Sequence, residues 1–343
     1  MSQYFNTLYV TEPESYLHKD HETVVVRIQH ETKLQVPLHH LISIVCIGPE
    51  IGVSPELMRA CMEAKIGISF LSATGRFQGR VEGRHASNVL VRREQYRQAD
   101  QVDKCLEYSR SFLIGKVANA RTLVGRMKRE NGSNESTREA FQECFNRLKA
   151  NIAHIRQSNN LESLRGFEGE AAAIYFSKLG LAIKNDDFGF EGRVRRPPRD
   201  PVNALLSFLY TILNHDCAGA LAAAGLDPQV GFLHTDRPGR PSLALDLMEE
   251  FRPVFVDRLV LRLLNLKQLT AKDFKEDMAG GIKLKEDARK LVLIEYQKSK
   301  KEEIFHPLLK STIPFALLPH LQARLLAKTI RGELVAYPPF VLR

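Results

Sequence analysis

Hydrophobic and polar positions follow two different periods along this chain. Up to residue 97, apolar residues come in short runs rich in β-branched side chains and divided by turn formers. Tyr4 to Val10, Glu22 to Gln29, Lys33 to Leu38 and Leu41 to Ile47 are such runs, and each predicts a strand. One helix interrupts them. Ser54 is placed to cap it, Pro55 suits its first position, and Leu57, Met58 and Cys61 carry it to about Lys65. The strand pattern then resumes over Gly67 to Ser72, Phe77 to Glu82 and Asn88 to Val91.

From Gln98 onward the period is helical. Asp103 to Arg129 and Arg138 to Arg156 read as long helices parted by the breakers Asn131-Gly132-Ser133-Asn134. A third helix begins near Asn160 and bears Leu161, Leu164, Phe167, Ala171 and Tyr175. An irregular stretch from Asn185 to Pro201 is rich in Gly, Pro and Arg; Asp200-Pro201 then reads as cap and first residue of a helix Val202 to Leu213. A loop holding His234 leads to a helix capped by Ser242, and Arg252 to Arg343 is mostly helical with a Lys-rich middle. The predicted fold is α+β and multidomain. A β-rich, β-sandwich-like domain with one helix fills residues 1–97, and a larger all-α domain fills residues 98–343.

Charge narrows the partners. The 343 residues carry 49 Lys+Arg against 40 Asp+Glu, a formal net charge of +9, with a pI near 9.3. An anionic partner is favoured, nucleic acid first among candidates. The five cysteines, Cys46, Cys61, Cys105, Cys144 and Cys217, form no CxxC pair, which excludes a zinc ribbon and a thioredoxin-like redox site. A reducing cytoplasm suits such a set. The start, MSQYFNTLYVTEPESYL, does not read as a signal peptide. Uncharged apolar stretches such as Asn203 to Leu213 fall short of the roughly 20 residues that span a bilayer. Secretion and membrane insertion are therefore not expected. The motifs of P-loop ATPases, Rossmann dehydrogenases, zincins and α/β-hydrolases are all absent.

Three local features carry candidate chemistry. Gly166-Phe167-Glu168-Gly169-Glu170 lies inside a helical pattern, where each glycine costs on the order of 1 kcal/mol relative to Ala. Glycine there suggests a close approach to the backbone. Glu168 falls on the apolar stripe with Leu164, Ala171 and Tyr175, whereas Glu170 points away. A buried-side Glu needs a partner, and an edge-of-stripe Glu with a salt bridge is the plain alternative. The second feature is Gly231-Phe232-Leu233-His234-Thr235; a lone loop His is more often structural than a ligand. The third is Asp246-Leu247-Met248-Glu249, two acids on one helix face, which the dipole of a Ser242-capped helix would also explain.

Together these supply carboxylates and one imidazole without cysteine, a donor set that suits Mg²⁺ or Mn²⁺. A hard cation in a basic protein fits phosphodiester chemistry, where it polarises the phosphoryl group. Between the first two features lie Arg193, Arg195, Arg196 and Arg199 with Pro197 and Pro198. Guanidinium matches phosphate geometry, so these four arginines are candidate nucleic-acid contacts, with a solvated linker as the alternative.

The run Leu164-Arg165-Gly166-Phe167-Glu168-Gly169, with Tyr175-Phe176 beyond it, resembles a signature of the CRISPR-associated adaptation integrase, the nuclease that inserts new spacers. So do Gly231-Phe232-Leu233-His234, the acidic helix that continues from Ser242 through Glu249 to Pro253, and Asp200 to Ser207. The ending Tyr337-Pro338-Pro339-Phe340 is similar to the subtype I-C branch. The resemblance implies a divalent metal on Glu168, His234 and Glu249, with Asp246 in a supporting role. It implies a homodimer built through the β-rich domains, two of which flank a small dimeric partner protein as a heterohexamer. It implies transesterification, in which the 3′-hydroxyl of a captured double-stranded DNA fragment attacks the edge of a CRISPR repeat. A general metal-dependent nuclease and a non-catalytic basic DNA-binding scaffold are the rival readings. Metal-dependent cleavage separates the scaffold from both enzymes, and strand transfer separates the integrase from the simple nuclease.

Overall fold

The computed structural model describes residues 6–73, 75, 77–81, 83, 89–130, 134–194 and 197–342. The chain divides into two compact units: Met1–Ala86 with Lys290–Lys298, and Ser87–Arg289 with Ser299–Arg343.

The first unit contains β1 (Asn6–Val10), β2 (Ser15–Asp20), β3 (Thr23–Ile28), β4 (Glu31–Pro37), β5 (Leu41–Ile47), β6 (Gly52–Val53), α1 (Pro55–Glu63), β7 (Gly67–Leu71) and β8 (Phe77–Val81). They form two four-stranded sheets, ordered β1-β5-β7-β8 and β4-β3-β2-β6. In the first, β5 runs parallel to both β1 and β7, while β8 closes the edge antiparallel. The second is an antiparallel meander with β6 added parallel to β2. Leu17, Val24 and Val26 from one sheet, Ile44 and Ile68 from the other, and Leu57 and Cys61 from α1 share one core. The cap of α1 is the predicted one: Ser54 Oγ accepts from Leu57 N at 3.2 Å, with Pro55 in the first turn.

Two elements of this region differ from the sequence expectation. Strand β2 reads SYLHKD and carries almost no apolar signal, yet Leu17 is fully buried opposite Val26 of β3. The apolar run at Val89 to Val91 opens a helix, α2 (Val89–Ala99), rather than a strand. Only Val91 of the three is buried, and the run is too short for its period to be read. Helix α2 lies whole in the second unit, which begins at Ser87.

The second unit adds α3 (Val102–Glu130), α4 (Glu135–Gln157), α5 (Leu161–Leu179), α6 (Pro201–Ala223), α7 (Ser242–Met248) and α8 (Arg258–Asn265). After them come α9 (Glu286–Lys300), whose middle belongs to the first unit, and α10 (Leu318–Ile330). Two short antiparallel ribbons, Phe274–Glu276 with Ile282–Leu284 and Glu303–His306 with Ser311–Pro314, sit among these helices, so the unit is not purely α. Local chemistry starts the helices as expected. Asn160 Oδ1 accepts from Ser163 N, and Asp200 Oδ1 accepts from Asn203 N, each at 2.8 Å. Helix α6 runs well past Leu213, because Cys217, Ala220 and Leu221 continue its buried faces beyond the polar Asn214-His215-Asp216. Ser242 does not cap α7. Pro241 holds the cap position, Ser242 is the first helical residue, and its hydroxyl donates to Thr235 O. All five cysteines are free and buried, and among the described residues no helix is long and apolar enough to cross a membrane.

Between α7 and α8 the chain makes a π-helical turn, Arg252–Asp257. Asp257 ties it to two neighbours by accepting from Tyr175 Oη of α5 and Tyr210 Oη of α6. Burial pushes its carboxyl up to about 6 against the opposing pull of the two hydroxyls. The native state therefore keeps this proton over a range in which the unfolded chain, near 3.8, has lost it. Stability should fall as pH rises from about 4 to 6, by on the order of 2–3 kcal/mol from this group. Asp257→Asn should flatten that segment of the curve of urea-unfolding free energy against pH; an unchanged slope would contradict the assignment.

Candidate active site

Four elements of the second unit bring polar side chains to one place. Helix α3 supplies Lys116. Its neighbour Gly115 lets the helix press against the chain after α7, since a Cβ there would stand 2.9 Å from Glu250 Cγ. Helix α5 supplies Glu168, on the inward stripe, while Glu170 is exposed and accepts from Asn151 Nδ2. The end of α7 supplies Glu249, and the turn beyond it supplies Arg252. The loop before α7 supplies His234.

Lys116 Nζ stands 2.6 Å from Glu168 Oε1 and 2.9 Å from Glu249 Oε2. Arg252 grips the other oxygen of Glu249 at 3.1 Å, and its guanidinium lies over the Tyr210 ring at 4.6 Å. Lys116 opposite Glu168 holds that carboxyl below its usual range. Burial pushes Glu249 up, but Arg252 and Lys116 outweigh it and bring the carboxyl to about 2. Glu249 is 1% exposed, so without those two cations its charge would be very costly. Its Oε2 accepts no hydrogen bond of good geometry despite the nearby ammonium: the contact with Lys116 is an ion pair only.

His234 is aimed by Asp246. The Asp246 carboxylate, 0% exposed, accepts from the amides of Phe232 (2.7 Å), Leu233 (3.0 Å) and His234 (3.0 Å) and meets His234 Nδ1 at 2.6 Å. An oxygen already accepting from amides takes Nδ1 as a donor, which leaves Nε2 as the ring nitrogen available for another bond. Gly231 is required beside this latch, because a Cβ there would fall 2.8 Å from Ser242 Cβ. Arg165 NH2 of α5 donates to Leu233 O, tying the loop to the helix of Glu168.

The structure thus brings Glu168 and Glu249 together on one cation, Lys116, and latches His234 to Asp246. Asp246 is fully occupied in holding the loop. The salt-bridge alternative for Glu168 is realised as well, since its partner is Lys116. The close approach expected at Gly166 and Gly169 is not made by the chain, for a Cβ at either would meet no described atom within 4 Å. Among the described residues, no three His, Cys, Asp or Glu side chains stand at metal-holding spacing; the ammonium of Lys116 lies between the two carboxylates. The chemistry of the carboxylates still fits a hard divalent ion: an oxygen of each converges on one cation, and that of Glu249 lacks a hydrogen bond of good geometry.

Of the four candidate arginines, Arg193 bonds to Asn203 Oδ1 (2.7 Å) and Ser207 Oγ (3.0 Å) and lies over Tyr210, so it braces α6. Arg199 is exposed. Arg195 and Arg196 lie outside the described residues. Lys116 and Arg252 are the participants that motif spacing did not single out. The signal for Lys116 was a lone cation on the buried stripe of α3, four residues after Phe112 and four before Ala120. For Arg252 it was the i+3 spacing from Glu249.

A β-rich unit and a mainly helical one, the latter holding a buried carboxylate pair beside a latched imidazole, define the class. The model of the CRISPR associated protein Cas1 family matches residues 8–298. The CRISPR-associated endonuclease Cas1 1 of Chlorobaculum tepidum is 46% identical over 345 residues, covering 100% of both chains. The CRISPR-associated endonuclease Cas1 2 of Rhodospirillum rubrum is 47% identical over 345 residues, covering 99% of each. The chain belongs to the Cas1 family. In fold it is similar to a Cas1 protein from Thermotoga maritima (TM-score 0.78, 23% identity, 96% of this chain and 97% of that one). It is likewise similar to a casposase bound to its integration product (TM-score 0.82, 20% identity, 96% and 92%).

The latch makes a direct prediction. Asp246→Ala leaves three amides and an imidazole without their acceptor, and should lower unfolding free energy by about 3–5 kcal/mol. Glu170→Ala should stay within about 0.5 kcal/mol of wild type. Urea unfolding of both variants checks the pair; equal, small effects would contradict the latch.

Proposed function

We propose that this chain is a divalent-metal-dependent DNA endonuclease and integrase of CRISPR adaptation. The observation that carries the reading is the convergence of Glu168 and Glu249, from separate segments of the chain, on a single cation; the latched His234 is the third member of the set. Glu168, Glu249 and Nε2 of His234 would hold Mg²⁺ or Mn²⁺. When bound, the ion supplies Lewis acidity to the phosphodiester and to the oxygen that leaves it. Asp246 fixes the His234 tautomer, and Arg252 fixes the Glu249 carboxylate so that one oxygen faces the site. The open helix face at Gly166 and Gly169 leaves room for a DNA strand beside Glu168. The overall positive charge favours that strand.

The reaction is strand transfer. The 3′-hydroxyl oxygen of a captured DNA end bonds to phosphorus at the edge of a CRISPR repeat, and the repeat's own 3′-oxygen leaves as a hydroxyl. Water in place of the hydroxyl gives hydrolysis. The two relatives reported above are named endonucleases, which supports the cleavage half. A neighbour of the same fold (TM-score 0.80, 22% identity, 99% of this chain) is described in a Cas6-RT-Cas1–Cas2 complex. That description, with the β-rich unit, supports homodimers of this chain flanking a small dimeric Cas2-like partner. Tyr337 to Phe340 supports the subtype I-C branch. The soluble cytoplasm, where DNA is at hand, is the proposed location.

Glu168→Ala and His234→Ala should each lower strand transfer into a repeat-containing plasmid by at least about 10³-fold, and the double variant should be no worse than either, since both disable one unit. EDTA should abolish wild-type activity and Mn²⁺ should restore it. Full activity in EDTA, or additive losses in the double variant, would contradict the shared metal site.

A further inference from the structure

Lys116 is a lysine almost buried on the inner stripe of α3, 12% exposed at its side chain. It makes two contacts at the site, and both go to the oxygens that a metal would need: Glu168 Oε1 at 2.6 Å and Glu249 Oε2 at 2.9 Å. Arg252, by contrast, touches only Oε1 of Glu249. The two basic residues therefore do different work. Arg252 is compatible with a metal on Oε2 and holds the carboxylate in place for it. The ammonium of Lys116 lies between the two carboxylates.

Resting on the metal reading above, we propose that Lys116 is the built-in counter-cation of this site: it holds Glu168 and Glu249 together in the metal-free protein and must give up both contacts when a divalent cation binds. Two positive charges cannot share a pair of oxygens at these distances in a buried setting, so occupancy by one excludes the other. Two consequences follow. The carboxylates are kept converged rather than repelled before metal arrives, and the free protein binds metal more weakly than its donor set alone would. The displaced ammonium has a natural new partner in the phosphate of a bound DNA strand, so Lys116 is a positioning residue that couples metal loading to substrate.

The test is calorimetric titration of Mn²⁺ into metal-stripped, full-length protein without DNA. Lys116→Met keeps the length and apolar stem of the side chain and removes the charge; Lys116→Gln serves if the methionine variant fails to fold by circular dichroism. The neutral variant should bind Mn²⁺ at least about tenfold tighter than wild type, and Lys116→Arg should not. Without metal, the neutral variant should melt below wild type, and saturating Mn²⁺ should remove the difference. A lysine with a purely structural role would lower stability without tightening metal binding. Equal or weaker Mn²⁺ binding in the folded neutral variant overturns the proposal while leaving the metal reading intact. Failure of wild type and all variants to bind Mn²⁺ overturns the metal reading and, with it, this one.

Discussion

Between Asp246 and Asp257 the chain buries four carboxylates almost completely: Asp246, Glu249, Glu250 and Asp257 are each at most 1% exposed. None could remain there without partners, and each recruits a different part of the second unit. Asp246 draws in the loop of residues 232–234. Glu249 takes Lys116 from α3 and Arg252 from its own turn. Glu250 accepts from Gln322 of α10, from Tyr337 Oη and from Phe340 N, fastening the C-terminal segment. Asp257 joins α5 to α6 through two tyrosines. The helical unit is organised around the need to satisfy these acids.

The four differ in what surrounds them, and that difference separates chemistry from scaffolding. Burial pushes Glu250 up to about 8 and Asp257 up to about 6, because hydrogen-bond donors, joined at Asp257 by the more distant Arg252 and Arg193, offset only part of the desolvation. Of the four, only Glu249 forms ion pairs with two cations, Lys116 and Arg252, among the described residues, and it is driven down instead, to about 2. Glu249 is an acid kept ionised inside the protein, with one oxygen lacking a well-formed hydrogen bond, whereas Glu250 and Asp257 are fasteners. Gly115 allows this contrast by bringing α3 close enough for Lys116 to reach Glu249 while the helix presses on Glu250.

What the sequence announced was local. Ser54, Asn160 and Asp200 cap their helices as their spacing implied, because a cap involves residues three apart. Glu168 stood out as a charge on an apolar stripe, and the two acids of α7 as a pair. What stayed hidden depends on residues far apart in the chain. Strand β2 is recognisable only once Leu17 meets Val26. Asp246 and Glu249 look alike in sequence, and only the folded loop turns one into a latch while the other faces a lysine from α3. Arg193 shows in sequence only as one of four clustered arginines; its bonds to Asn203 and Ser207 of α6 appear only in the fold. Lys116 was visible only as an isolated cation among buried positions, and its meaning came from two acids on other helices.

If Glu168 and Glu249 form one cation site that Lys116 occupies until a metal replaces it, anomalous diffraction from crystals grown without metal and then soaked in MnCl₂ will show the exchange. One strong manganese peak should appear, bound by Glu168, Glu249 and Nε2 of His234, with the Lys116 side chain withdrawn from both carboxylates. A Lys116 ammonium still bridging Glu168 and Glu249, with manganese elsewhere or absent, would contradict it.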